Sequence, residues 1–142
     1  MVTVDHELMN MVARHEGFRA RPYRDSRGYI TVGYGFCLDT WPLSEAEAEV
    51  ILDMRLRDVI HELSEQPWWE TLTDRQQRAL VDMAYNIGIG GVLSFHEMIA
   101  AIEARDWDRA AAAMLNSQWA RQVGSRAEDD AAMLRYAGDG TK

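Results

Sequence analysis

Two carboxylates and a hydroxyl stand close together in HEGFRARPYRDSRGYITVGYG, residues 15–35: Glu16, Asp25 and Thr31. Acid–base cleavage of an acetal such as a glycosidic bond needs these types. One carboxylic acid protonates the leaving oxygen, and a second carboxylate on the opposite face handles a water or attacks the carbon. In an inverting enzyme the two carboxyl groups stand about 6.5–9.5 Å apart to leave room for that water, and a threonine hydroxyl can help hold it. Acids beside turns are common and most exposed carboxylates are merely solvated, so spacing alone leaves both readings open.

The elements that must position these residues follow from local pattern. Leu8, Met11, Val12 and His15 recur at helical spacing, which predicts an amphipathic helix over 5–16 stopped by Gly17. After Pro22, β-branched and aromatic residues flank the turn tripeptide SRG, which predicts a hairpin. Ser44 with Glu47 forms a capping-box signature, and Leu52, Leu56, Val59 and Leu63 make an apolar stripe for a long helix to about Ser64. QPWWETLT, 66–73, reads as a loop, and Thr73 with Gln76 opens a helix that is apolar nearly all round, the expected core helix, broken by GIGG at 88–91. Short helices are expected over 95–104, over 106–115 opened by Asp106, and over 125–136 opened by Ser125, with AGDGTK fraying at the end.

These elements predict an α+β, mostly helical fold. It is one domain over 1–142, with a hairpin lobe at about 15–43, a connecting helix at 44–65, and a helical lobe at 66–138 that includes 1–14. A length of 142 residues suits one domain, without repeats or low-complexity tracts. The formal charge of −8 and the lack of any Lys/Arg stripe exclude a general nucleic-acid binder. A single cysteine, Cys37, rules out an intramolecular disulfide, and four scattered histidines suggest no metal set. No signal peptide or membrane-spanning run is visible, which points to cytoplasmic synthesis without stable membrane insertion.

The spacing resembles the phage-type lysozymes, the muramidase endolysins of tailed phages in glycoside hydrolase family 24. Their hallmark is a Glu-Gly, eight residues to an Asp, five to a Thr, then Gly-x-Gly. It stands here as Glu16-Gly17, Asp25, Thr31 and Gly33-Tyr34-Gly35. RALVDMAYNIGIGGVLSF, 78–95, is similar to the family's central helix, and 104–136 to its closing helices.

The resemblance implies a lysozyme-like fold, in which a small N-terminal β-hairpin lobe is joined by a long helix to a C-terminal helical lobe. It implies hydrolysis of the β-1,4 bond between N-acetylmuramic acid and N-acetylglucosamine in peptidoglycan, without cofactor or metal and with inversion. Glu16 would be the acid, Asp25 the carboxylate that orients or activates water, and Thr31 the hydroxyl that places it. Arg126 matches a position that pairs with the acid. A cation there favours the ionised carboxylate whereas a proton donor must hold its proton, so desolvation would have to compete with the pairing. Tyr85 and Asn86 match cleft-lining positions of the central helix, although core packing explains Tyr85 nearly as well.

Departures from the family pattern are visible too. Phe36 and Cys37 replace a His-Leu pair, which makes Cys37 an apolar cleft residue contacting substrate. Met98 and Ala113 stand where a close member carries polar groove residues. The acidic charge, including EDD at 128–130, predicts weak and salt-dependent association with an anionic wall. The expected partner is peptidoglycan, reached by a monomer that is made in the host cytoplasm and released by a holin. A lytic transglycosylase, which needs one acid and no water, and a silent wall-binding module are the competing readings.

Overall fold

The computed structural model describes residues 1–136; the expected fraying of AGDGTK lies outside the described residues. The elements among them are seven helices and one three-stranded antiparallel sheet. They group into two compact units, Met1–Val50 and the residues from Ile51 onward.

The first unit opens with α1, His6–Glu16. Asp5 caps it by accepting a hydrogen bond from the Leu8 N–H at 2.9 Å, which satisfies one of the unpaired donors of the first turn. Gly17 ends α1 at φ +72°, donating to the Ala13 carbonyl at 2.8 Å.

The sheet follows in the order β1 (Arg19–Arg24), β2 (Ile30–Gly33) and β3 (Phe36–Cys37). Pro22 sits in β1, an edge strand, where its missing N–H costs no inner ladder bond. Tyr23 pairs with Thr31 and Arg24 with Ile30, while the register shifts between Arg19 and Tyr23. β3 is an addition to the expected hairpin. Gly33 and Gly35, both at φ +70°, turn the chain tightly enough for Thr31 to pair with Cys37 and Val32 with Phe36.

α2, Glu45–Ser64, begins at the expected capping box: the Ser44 N–H donates to Glu47 Oε1 at 2.9 Å and the Glu47 N–H to Ser44 Oγ at 3.1 Å. Its stripe is unevenly buried. Leu52 is exposed, Leu56 and Val59 are half-buried, and Leu63 is fully buried.

In the second unit the expected loop at 66–73 is a core element. Trp68, Trp69 and Leu72 are buried around a single 3₁₀ turn, Trp69–Thr71. α3, Asp74–Leu93, has a complete Thr73–Gln76 capping box and buries Leu80, Met83, Ala84 and Val92. The GIGG break is a kink, because Gly88 alone leaves helical geometry at φ +82° and helix resumes beyond it. Four short helices complete the unit: α4 (His96–Glu103), α5 (Trp107–Leu115), α6 (Gln118–Val123) and α7 (Ser125–Arg135).

Asp106 caps α5 as expected, accepting from the Arg109 N–H at 3.2 Å. α6 was not expected; Ser117 caps it by accepting from the Ala120 N–H at 3.1 Å. Ser125 does not cap α7. Gly124 holds that position at φ +63°, and Ser125 is the first helical residue. α7 packs on α3 and α5, and α4 on α5. Met98, Ile102, Met114 and Leu134 are fully buried between them, each side chain contributing about 1.5–3 kcal/mol.

Candidate functional site

In the first unit, Glu16 is the last residue of α1, and its carboxylate lies directly against the Gly35 backbone. A Cβ added at Gly35 would fall on the carboxylate, 2.8 Å from Cδ. Only glycine permits this approach, which also needs φ +70°. Glu16 and Gly35 line a cleft of ≈360 Å³ together with Phe36, Cys37, Thr40 and Trp41.

Asp25 closes the turn after β1. Its Oδ1 accepts from the Arg27 N–H at 2.8 Å and the Tyr29 N–H at 2.9 Å, while its backbone N–H donates to the Tyr29 carbonyl at 2.9 Å. These bonds make an Asx-type turn. They fix the carboxylate plane while Oδ2 takes part in none of them.

Thr31 is only 3% exposed, and its Oγ1 donates to the Tyr29 carbonyl at 3.1 Å. The hydroxyl hydrogen is thereby used, so the oxygen can serve a further partner only as an acceptor. Cys37, half-buried on β3, pairs with Thr31 across the sheet. The Thr40 side chain and then its backbone hydrogen-bond the sulfur and lower the thiol pKa from its ordinary value. The first unit thus joins Asp25 to Thr31 through Tyr29, and places Glu16 and Cys37 on one cleft.

The remaining candidates lie in the second unit. Tyr85 on α3 is 42% exposed rather than core. Asn86 beside it is exposed, and its Oδ1 accepts from Trp119 Nε1 at 2.8 Å, leaving the amide NH₂ to face other partners. Arg126, near the start of α7, clasps Asp82 of α3: Nε to Oδ2 at 2.8 Å, and one terminal nitrogen to Oδ1 at 3.1 Å and to the Asp82 carbonyl at 3.0 Å. The pairing holds the Asp82 carboxyl below its usual range and the guanidinium above its own. Met98 is fully buried and Ala113 half-buried.

Asp130 was hidden in the EDD run, read as surface charge. It is 3% exposed, and its Oδ2 is buried without a hydrogen-bond partner. Burial, and then the neighbouring Asp82, push its carboxyl up to about 8. A sequence signal existed, since Ala127, Asp130, Ala131 and Leu134 follow the helical spacing of a buried stripe. Asp82, Arg126, Asp130, Arg78 and Asp129 border a second cleft of ≈500 Å³. Among the described residues no three His, Cys, Asp or Glu gather as a metal site would require, and no helix is long and apolar enough to cross a membrane.

Comparison with known proteins places the chain in a family. The chain is 28% identical to the pre-baseplate central spike protein Gp5 of Enterobacteria phage T4 over 84% of its own length, but spans only 26% of that protein. It is 22% identical to the probable T4-type lysozyme 1 of Dictyostelium discoideum, over 84% of its own length and 88% of that relative. The family model for phage lysozyme matches residues 13–132, a span that contains Glu16, Asp25, Thr31 and the Tyr85–Arg126 segment, and the chain therefore belongs to the phage lysozyme family.

Proposed function

We propose that this chain is an endolysin-type muramidase that hydrolyses the β-1,4 bond between N-acetylmuramic acid and N-acetylglucosamine of peptidoglycan. The observation that carries the reading is the hairpin: an acid held against Gly35 on an open cleft, and a carboxylate whose Oδ1 is pinned while Oδ2 is left over, within a chain of the phage lysozyme family. Glu16 donates its proton to the glycosidic oxygen as the bond to the anomeric carbon breaks. Asp25 Oδ2 orients a water and takes its proton as the water's oxygen bonds that carbon, and Thr31 Oγ1 accepts a hydrogen bond from the same water. Attack on the face opposite the departing sugar inverts the anomeric centre.

Cys37, Tyr85 and Asn86 are the proposed substrate contacts, with the Asn86 NH₂ group serving hydroxyl or acetamido oxygens. Arg126 is the proposed positioning residue for the acid. Its bidentate grip on Asp82 supports a fixed guanidinium and leaves its other terminal nitrogen for that role. Synthesis in a host cytoplasm, holin-dependent release, action on the wall as a monomer and a part in lysis complete the proposal.

Mass spectrometry of fragments released from defined peptidoglycan tests it. New reducing ends on muramic acid, lost in Glu16→Gln with the fold retained, are expected. Anhydromuramic ends would assign the chain to transglycosylation instead. Binding without any release would leave a silent wall-binding module.

A further inference from the structure

Of the five tryptophans, Trp68, Trp69 and Trp119 are buried and Trp107 is half-buried, but Trp41 is 78% exposed. Leaving an indole in water forfeits the largest apolar burial any side chain offers, so its position calls for a partner. Trp41 is not on a loose segment. Its backbone N–H donates to the Cys37 carbonyl at 2.8 Å, and the turn between them is fastened to β2. The Leu38 N–H donates to the Ile30 carbonyl at 2.9 Å, and the Ile30 N–H to Asp39 Oδ2 at 2.7 Å. Pro42 follows and restricts the backbone further.

The indole borders the same cleft as Glu16. Phe36 borders it too, 51% exposed, with its ring held against Gly33, where an added Cβ would come within 2.6 Å of it. Tyr34 flanks that ring at 6.4 Å between centroids. Two open aromatic side chains, one on a hydrogen-bonded turn and one against Gly33, are thus accompanied on the cleft by Thr40 and Glu47. A saccharide matches this mixture. A pyranose offers apolar C–H faces to aromatic rings and a rim of hydroxyl and amide groups to polar neighbours, and its neutrality suits a cleft holding two acids.

We infer that Trp41, with Phe36 beside it, is a saccharide platform: an N-acetylhexosamine ring of a glycan strand stacks on the indole and so sets the strand's position relative to Glu16. The inference rests on the muramidase reading for the identity of the strand, and on the cleft itself for the sugar. Trp41 touches bound glycan in this account without taking part in proton transfer, so its removal weakens binding rather than chemistry.

Calorimetric titration with the hexamer of β-1,4-linked N-acetylglucosamine tests the platform independently of turnover. Trp41→Ala should weaken binding about tenfold, and Trp41→Tyr, which keeps an aromatic face, by no more than about threefold. On solubilised peptidoglycan, Trp41→Ala should raise KM by a similar factor with kcat and the thermal midpoint retained. Equal hexamer affinity in wild type and Trp41→Ala, or no binding by wild type, would overturn the platform. The two failures separate. Trp41-dependent binding without bond cleavage would remove the muramidase reading and keep the platform, whereas cleavage with KM and affinity indifferent to Trp41 would do the reverse.

Discussion

Asp25 and Thr31 hold the two backbone polar groups of one residue: the Tyr29 N–H donates to Asp25 Oδ1 at 2.9 Å, and Thr31 Oγ1 donates to the Tyr29 carbonyl at 3.1 Å. The carboxylate and the hydroxyl are therefore set relative to each other by the turn, without touching. A displacement of Tyr29 would move both.

This linkage separates charge from scaffold at Asp25. In Asp25→Asn the side-chain oxygen still accepts from Arg27 and Tyr29, so the turn should persist while the water loses its base. Release of reducing ends from peptidoglycan should fall about 10²–10⁴-fold with little change in thermal midpoint. Asp25→Ala should lose both activity and stability, the latter by about 0.5–1.5 kcal/mol per turn hydrogen bond lost. Undiminished turnover in Asp25→Asn would remove Asp25 from the reaction.

Gly35→Ala places a methyl where the Glu16 carboxylate lies, at a backbone φ of +70°. The backbone strain costs about 1–2 kcal/mol, which leaves a folded protein, but the acid must swing away from its seat. Wall-lysis activity is expected to drop by two orders of magnitude or more while circular dichroism stays native. A fully active Gly35→Ala would show that the acid does not work from this position.

The Asp82–Asp130 pair makes stability depend on pH in a specific sense. Asp130 keeps its proton in the folded protein up to about 8, whereas an unfolded aspartate releases it near its ordinary value of 3.8. Between these values the folded state binds more protons, so this group's contribution falls as pH rises, by at most about 1.4 kcal/mol per pH unit. Asp82 acts oppositely: its folded pKa is lowered, so its stabilisation is present above 3.8 and lost as pH falls through the folded value. Asp130→Asn, which keeps the shape without a charge to desolvate, should flatten the loss of thermal midpoint between pH 5 and 8. An unchanged slope in that variant would refute the buried acid as its cause.

Asn86 has a scaffold half and a free half. Asn86→Asp keeps an oxygen for Trp119 Nε1 but removes the NH₂ group, so KM for soluble glycan should rise several-fold with the thermal midpoint nearly retained. Asn86→Ala should in addition lose about 1 kcal/mol of stability with the Trp119 bond. If Asn86→Asp leaves KM unchanged, Asn86 is a packing partner of Trp119 alone.

Local chemistry along the chain determined most of the elements. Capping at Ser44, Thr73 and Asp106 and the apolar periodicities are interactions within a few residues, so the helices they open were legible in sequence. The gap between Asp25 and Thr31 was legible for the same reason, since one turn and one strand pairing span it. Tertiary structure decided what depends on distant neighbours. Trp68 and Trp69 became core because packing around Leu63 and α3 buries a segment whose own pattern reads as loop. β3 formed because pairing with β2, not the propensity of Phe36 and Cys37, satisfies its backbone. Arg126 met Asp82 across 44 residues of chain, and Asp130 went under because its side of α7 faces α3 and α5. Burial is a property of the assembled surface: a run of acids carries its charge in the sequence, but only packing determines which of them loses water and holds its proton.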